Sequence, residues 1–231
     1  LFISSIHIEK YLAAAEQITQ AVLPDRTRGQ DRELRAARER ILFKQPGLFA
    51  KADLPAREVI SAFARRAWRR PVTPEEVDKL MLLFQRADDR GDSYAASVRL
   101  ALKGILISPH FLFLAEPEPA ETGIQRLADV PLASKLSYFL WSSMPDEELL
   151  TLAEQGRLAD PQVYRAQLRR MLQDPRAEAL GERFALQWLD LDKLGGEVKP
   201  DATKYPEFDT ALAEAMKGEV KAFFNHLVRE D

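Results

Sequence analysis

The sequence has no cysteine. It therefore forms no disulfide, thiolate metal site or cysteine nucleophile, and it cannot attach a haem through a Cys-x-x-Cys-His motif of its own. An excess of charge of either sign is also missing, since the sequence contains 33 Lys and Arg and 36 Asp and Glu, for a formal net charge of -3. Without a global field, general binding to nucleic acid or to an anionic membrane is not expected.

Long apolar runs are absent as well. The most apolar stretch, residues 104–115, is interrupted by Ser108, Pro109 and His110 and falls short of the roughly 20 residues of a membrane span. No membrane span is therefore predicted.

Local chemical motifs are missing too. The three histidines, His7, His110 and His226, form no His-Glu-x-x-His or His-x-x-x-His arrangement. The glycines make no phosphate loop or dinucleotide fingerprint, and no serine lies in a nucleophile elbow. We therefore expect neither a metal nor a cofactor site in this chain.

What the sequence does contain is helical periodicity. Its 231 residues are 46% apolar, enough for one large or two modest cores. Apolar residues recur every three or four positions, and no segment alternates with period two. The pattern predicts an all-α fold. Because the chain begins with Leu1 and helical sequence follows almost at once, we expect a piece of a longer polypeptide.

Two helical modules of helix-bundle type are predicted, over residues 1–115 and 130–231. Residues 116–129 begin with acidic, proline-rich sequence that lacks large apolar side chains, and we predict an extended linker there. In the first module, Thr73-Pro74-Glu75-Glu76 is a capping box with proline at the first helical position. The piece from Phe111 to Leu114 fits either a strand or a helical turn.

The second module is predicted to open with a helix hairpin. Leu132, Leu136, Phe139 and Leu140 share one helical face, whereas Ser134, Lys135 and Ser137 take the other. The next helix has Pro145 in its first turn and stops at Gly156. Further helices are predicted from Asp160-Pro161 and Asp174-Pro175, and a last long helix carries an apolar stripe of Phe208, Leu212, Ala215, Met216, Val220, Phe223, Phe224 and Leu227.

Several long motifs resemble one family. Residues 65–73 (RRAWRRPVT) and 107–112 (ISPHFL) are similar to one planctomycete-type domain of unknown function. The domain that follows it in that family resembles residues 132–143 (LASKLSYFLWSS), Pro145-Asp146, and 174–177, 187–189 and 223–224. The first helix, around Leu12-Ala13-Ala14-Ala15-Glu16, looks like the tail of a third domain of the same set.

The resemblance implies a setting but not a reaction. Such domains occur in large exported bacterial proteins beside planctomycete-type c-type cytochrome domains, and sometimes beside carbohydrate-binding modules. It implies an extracytoplasmic location, with c-type haem on other domains of the full protein. Relatives often carry cysteines at the positions of Lys44 and of Pro55 or Ala56, so a disulfide across that loop is absent here, and we expect the loop to be looser.

Three groups of residues are candidates for a functional site, and each also has a possible structural role. His110 is expected to bond carbonyls freed by Ser108-Pro109, with haem or metal ligation as the alternative. Glu219 falls on the apolar stripe of the last helix, so it is expected to face inward and to pair with Arg169, Arg170 or Arg183, with Gln187 nearby; the alternative is general acid or base work.

The third candidate is the cluster of Arg65, Arg66, Arg69 and Arg70 around Trp68. A solvated face with local salt bridges is favoured over contact with phosphate, a haem propionate or an acidic partner. Trp141 and Trp188 are expected in the core, although either could stack on a sugar or a partner.

The sequence thus favours a helical structural or interaction module of a large, exported, cytochrome c-associated protein. The alternative is a helical part of an extracytoplasmic haem-linked redox or carbohydrate-processing enzyme. An enzyme part should show a deep pocket on which Glu219, His110 or an arginine converge, whereas a scaffold should show these groups paired internally.

Overall fold

The structure, a computed structural model, describes residues 4–25, 31–47, 51–114, 123 and 125–230. These residues form helices and contain no strand beyond an isolated bridge between Leu194 and Val198, which confirms the all-α prediction. Nor does any helix among them combine the length and apolarity needed to cross a membrane.

Contacts divide the chain into unit 1, Leu1–Ala120, and unit 2, Glu121–Asp231. Much of the predicted linker, residues 116–122 and 124, lies outside the described residues. Each unit contains its own buried apolar cluster.

Several helices of unit 1 begin at capping residues visible in the sequence. Thr73 and Glu76 form the predicted capping box, with Pro74 in the first turn, and Ser93 and Ser108 cap the helices that follow. In the piece from Phe111 to Leu114, Phe111 and Leu112 are helical, whereas Phe113 is extended. The helices of unit 1 are α1 Ser5–Val22, α2 Arg32–Ile41, α3 Asp53–Trp68, α4 Pro74–Asp88, α5 Tyr94–Leu106 and α6 Pro109–Leu112.

The core of unit 1 lies between α3, α4 and α5. Phe84, Ile60, Leu102 and Ile105 are fully buried there, as their helical spacing requires. Helix α1 joins this bundle through polar contacts, since Arg99 of α5 donates to the carbonyl that ends α1 and Lys103 pairs with Glu16.

Lys44 of unit 1 stands at a position where the family resemblance implies a cysteine in relatives. Here the Lys44 ammonium pairs with Glu58, and the Tyr94 hydroxyl donates to the Lys44 carbonyl at 3.0 Å. Burial, together with the nearby Glu58 carboxylate, raises the pKa of Tyr94 to about 12, so this donor keeps its proton. Noncovalent contacts therefore hold this position.

Unit 2 opens with the predicted hairpin, and its first helix buries Leu136 and Leu140 as predicted, but the rest of its buried face differs. Ser134 and Ser137 are buried and Phe139 is exposed, so the predicted face was wrong at these positions. The small serine side chains permit close packing, and the Ser137 hydroxyl donates to the Ser143 carbonyl. Gly156 adopts the left-handed conformation (φ 68°) after the second helix, which confirms the predicted stop.

One segment of unit 2 departs from regular α-helix. Leu180–Ala185 is π-helical, a feature that the sequence pattern did not predict. The other elements are α7 Asp129–Trp141, α8 Glu147–Glu154, α9 Pro161–Gln173, α10 Leu186–Trp188 and α11 Thr210–Glu230, with single 3-10 turns at Arg157–Ala159 and Pro175–Ala177. The core contains Leu149, Leu158, Met171 and Leu180.

Candidate functional site

The arginine-rich motif of unit 1 folds into a compact structural joint. Trp68 ends α3 and is buried, and its indole N–H donates to the carbonyl of Ile105 in the last turn of α5 at 3.3 Å. Carbonyls in the last turn of a helix have no partner within the helix, so this bond satisfies one of them. Trp68 thus ties the end of α3 to the end of α5.

Arg69, which follows Trp68, is buried rather than solvated. It is 5% exposed and adopts the left-handed conformation with φ 58°. Its guanidinium donates to the carbonyls of Ala67 (3.0 Å), His110 (2.7 Å) and Phe113 (3.1 Å), with longer contacts of 3.4 Å to Phe111. The prediction of a solvated arginine face was therefore wrong at Arg69, which clamps α6 onto α3.

Arg70 completes the joint on its outer side. Its guanidinium lies 5.2 Å from the centre of the Trp68 ring and binds both carboxylate oxygens of Glu76 at 2.7 and 3.0 Å. Glu76 also accepts from the Thr73 backbone N–H at 3.0 Å. The hydrogen bonds from Arg70, with that from Thr73, outweigh partial burial and lower the pKa of Glu76 to about 2. This carboxylate is committed to an ion pair and to capping α4.

His110 lies at the edge of the same joint. Its ring is 5.1 Å from the Trp68 ring, and Nε2 is 3.8 Å from Glu76 Oε1, while half of its side chain is exposed. The structure does not show the predicted hydrogen bond from the imidazole to carbonyls freed by Ser108-Pro109. The carbonyls of His110 and Phe113 accept from the Arg69 guanidinium instead. Packing against Trp68 and Glu76 accounts for the ring instead.

Unit 2 contains a second joint built from different residues. Trp141 ends α7 and is buried, as predicted, and its indole N–H donates to the Met171 carbonyl in the last turn of α9 at 2.9 Å. The Arg176 guanidinium lies 3.5 Å from the Trp141 ring centre. Asp146 caps α8 and binds Arg170 at 2.6 and 3.1 Å.

The charges of this second joint are also mutually satisfied. Burial alone would raise the pKa of Asp146, but hydrogen bonds from Arg170, the Leu149 N–H and Arg176 lower it overall. The hydrogen bond from Arg176 lowers the pKa of Asp174 to about 2.

The predicted place of Pro145 in the first turn of α8 was wrong. Asp146 is the residue before α8, so Pro145 precedes the helix.

The two joints share one plan. In each, a tryptophan ends a helix, the next residue is left-handed (Arg69, φ 58°; Ser142, φ 49°), and the cap of the following helix comes five positions after the tryptophan. An arginine covers the indole and binds a carboxylate at the start of that helix. We call these the Trp68 joint and the Trp141 joint. The motif residues are thus used for internal connections in both units.

Glu219 does not face the core. It is exposed, and α11 instead packs a neighbouring face that includes Ala213, Phe224 and Val228 against unit 2. The prediction of an inward carboxylate paired with arginine was therefore wrong. Arg170 binds Asp146, and Arg169, Arg183 and Gln187 are themselves exposed.

One open polar groove lies beside the π-helical segment. Its volume is about 430 Å³, and its lining includes Glu178, Glu182, Lys221, His226 and Arg229. Lys221 pairs with Glu182 at 3.5 Å and Arg229 with Glu178 at 3.7 Å, so four of these groups neutralise one another across the groove. Periodicity gave no signal for this groove, because it depends on how α11 meets the π-helical segment.

An exposed aromatic cluster occupies another surface of unit 2. Phe184 lies 5.5 Å from Phe139, 5.8 Å from Trp188 and 6.2 Å from Phe224, measured between ring centres. Trp188 is 68% exposed, so its predicted place in the core was wrong. Exposed aromatic surface of this kind is typical of contact sites.

Metal-ligating residues do not gather in the part of the chain that is described. No group of three or more His, Asp or Glu side chains is placed to hold an ion there.

The fold and the two joints define the class, an all-α protein of two helical units, each with a tryptophan joint at its motif. Residues 55–116 match the family model "PSD5: Protein of unknown function (DUF1595)", and residues 127–231 match "PSD4: Protein of unknown function (DUF1592)". The chain therefore belongs to the planctomycete-type domains of unknown function and carries these two in tandem, which confirms the resemblance in its motifs.

The matches do not reach α1, so the likeness of that helix to a third domain stays a prediction. Comparison with curated proteins and with solved structures gave no match to the chain.

Proposed function

We propose that the chain is a noncatalytic structural or interaction module of a larger extracytoplasmic, cytochrome c-associated protein. The observation that carries the proposal is the internal pairing of the family motifs. In the Trp68 joint and in the Trp141 joint, the tryptophans, arginines and carboxylates bind one another or backbone carbonyls.

Catalysis requires polar groups that converge on space a substrate can reach. His110 packs on Trp68 beside Glu76 in unit 1, and Glu219 lies on an exposed helix face in unit 2. The position of each candidate group is explained by its own unit, without a substrate. The exposed aromatic cluster of unit 2 supports a role in contact with other domains.

The polar groove beside the π-helical segment favours the alternative, a part of a haem-linked redox or carbohydrate-processing enzyme. π-Helical turns occur often at functional sites, and the lining of this groove includes a histidine and three glutamates. The internal ion pairs between Lys221 and Glu182 and between Arg229 and Glu178 weigh against it.

The extracytoplasmic setting and the cytochrome neighbours come from the resemblance alone. The complete open reading frame tests both, because a signal peptide and a Cys-x-x-Cys-His motif outside these 231 residues are expected. A frame that has neither would overturn this part of the proposal.

Calorimetric titration of the chain with a planctomycete-type c-type cytochrome domain and with a panel of glycans tests the interaction role. We expect binding to the cytochrome domain, no binding to glycans and no product from them. A Trp188→Ala variant removes the most exposed aromatic side chain of unit 2 and is expected to weaken binding to the cytochrome domain. Leu82→Ala, at an exposed leucine of α4, is the matched control and should leave that binding unchanged. Glycan turnover that is lost in a Glu182→Gln variant would establish the enzymatic alternative instead.

A further inference from the structure

Helix α11 carries an apolar stripe that the core of unit 2 does not use. Leu212, Met216, Phe223 and Leu227 are 39%, 43%, 64% and 45% exposed. At positions i, i+4, i+11 and i+15 they lie along one side of the helix, next to the face that packs on the core. We call these four residues the α11 stripe.

The α11 stripe is symmetric along the helix. Its residues are placed evenly about a midpoint between Glu219 and Val220, so that position 212 corresponds to 227 and position 216 to 223. If two copies of the helix pack antiparallel about a two-fold axis at this midpoint, Leu212 meets Leu227 of the second copy and Met216 meets Phe223. Leucine then packs on leucine at both ends, and a thioether on an aromatic ring between them, which is a favourable contact.

We propose that the chain self-associates through the α11 stripe as an antiparallel, two-fold symmetric pair. The proposal deepens the interaction role given above and rests on it. Because it commits to a second copy of this chain as the occupant, its failure would remove self-association and leave the proposed binding to other domains open to its own test.

The area of the α11 stripe suits a weak dimer. A phenylalanine side chain carries about 200 Å², so four side chains exposed by roughly half contribute on the order of 400 Å² per copy. The 21-residue helix is about 31 Å long, and its flanking side chains bring the pair to roughly 1,000 Å². This total is at the lower limit for a specific interface, so reversible, concentration-dependent association is expected.

Glu219 provides a test of where the two-fold axis of this pair lies. Since it adjoins the two-fold axis, the two copies of this exposed carboxylate lie close together and repel. A Glu219→Gln variant is therefore expected to associate more tightly than the parent chain, by about twofold to tenfold in the dissociation constant.

Sedimentation of the full chain over a range from low micromolar to several hundred micromolar measures the association. We expect a monomer–dimer equilibrium that Phe223→Glu weakens by at least about tenfold. Leu82→Glu places the same charge at an exposed leucine of α4 and is expected to leave the equilibrium unchanged, and circular dichroism checks that both variants remain helical. A chain that stays monomeric throughout this range would overturn the proposal.

Cysteine crosslinking tests the orientation, and the absence of native cysteine makes each introduced thiol the only one in the chain. With a short bis-maleimide, Glu219→Cys is expected to give covalent dimers, whereas Leu212→Cys alone is not, because its two copies lie about 20 Å apart along the helices. A mixture of Leu212→Cys and Leu227→Cys chains should crosslink. Equal crosslinking of every single variant would indicate parallel helices and would contradict the antiparallel pair.

Discussion

Removing the Arg69 guanidinium should destabilise unit 1 selectively. In an Arg69→Ala variant, the carbonyls of His110 and Phe113 lose bonds of 2.7 and 3.1 Å from a buried charged donor. Each of these two bonds, which join α6 to α3, contributes about 1.5–2 kcal/mol. The bond of 3.0 Å to Ala67 is local and the contacts to Phe111 are weak, so they add little. We therefore expect a loss of about 3–4 kcal/mol in the free energy of unfolding of unit 1.

The backbone at Arg69 supplies a matched control. Because its φ of 58° suits glycine, Arg69→Gly loses the same bonds but relieves the left-handed strain. Glycine should therefore be less destabilising than alanine by about 1 kcal/mol, the reverse of their order within a helix. Arg69→Lys keeps the charge but cannot reach several carbonyls at once, and it should fall between alanine and the parent chain.

Native-state hydrogen exchange read by mass spectrometry measures this effect in each unit separately. Protection of the α4 and α5 amides in Arg69→Ala should fall by two to three orders of magnitude, at about 1.4 kcal/mol per factor of ten, while the α8 and α9 amides serve as an internal control. A fall of less than tenfold in unit 1, or an equal fall in both units, would refute the clamp.

Three further variants test the Trp141 joint, the Arg70–Glu76 pair and the close approach of Gly181 to Asn225. Trp141→Phe leaves a buried carbonyl without its indole donor and should cost about 2 kcal/mol in urea unfolding, whereas Trp188→Phe, at an exposed position, should stay within about 0.5 kcal/mol. The Arg70 guanidinium holds the pKa of the Glu76 carboxyl near 2, below the ordinary 4.5. The stability that this ion pair adds is therefore complete above pH 4.5 and is lost as the pH falls toward 2. Glu76→Gln should flatten the dependence of the urea midpoint on pH in that window. Gly181→Ala places a methyl group 2.6 Å from Asn225 Oδ1 and should lower the unfolding free energy by about 1 kcal/mol, an effect that largely disappears in an Asn225→Ala background.

Each of these has a contrary result. Equal losses from the two tryptophan variants would show that the Trp141 joint carries no special stability. An unchanged pH slope in the glutamine variant would show that other carboxylates govern acid unfolding. A persistent cost of Gly181→Ala without the asparagine side chain would place its cause in the π-helical backbone.

Local signals in the sequence were the most informative. The capping box at Thr73 and the left-handed stop at Gly156 each depend on a few adjacent residues, and the structure contains both. Such elements can be predicted because the partners that fix them lie within one or two turns.

Arg69 shows why burial could not be predicted in the same way. Its carbonyl acceptors in and after α6 lie 41 to 44 positions further along the chain. Within its own segment it is one of four arginines in six residues, a pattern that favours a solvated face. Only the tertiary approach of α6 distinguishes Arg69 from its neighbours.

Helix α11 illustrates a second limit. Its apolar residues span an arc wider than one packing face, since both the α11 stripe and the face with Phe224 and Val228 are apolar. Periodicity places Glu219 on that arc but does not say which half of the arc packs. The structure uses the other half, so the inferred burial of Glu219 failed.

The π-helical turn at Leu180–Ala185 changes the direction in which the side chains after it point. Such a turn takes up about one residue more than an α-helical turn, and everything after it is rotated about the helix axis. Leu180, Phe184 and Trp188 would share one side of an unbroken α-helix, yet they run from buried to mostly exposed. A single extra residue in the backbone, rather than any change of side-chain type, turns Trp188 away from the side on which Leu180 is buried, so a chain one residue shorter here would present a different surface with nearly the same composition.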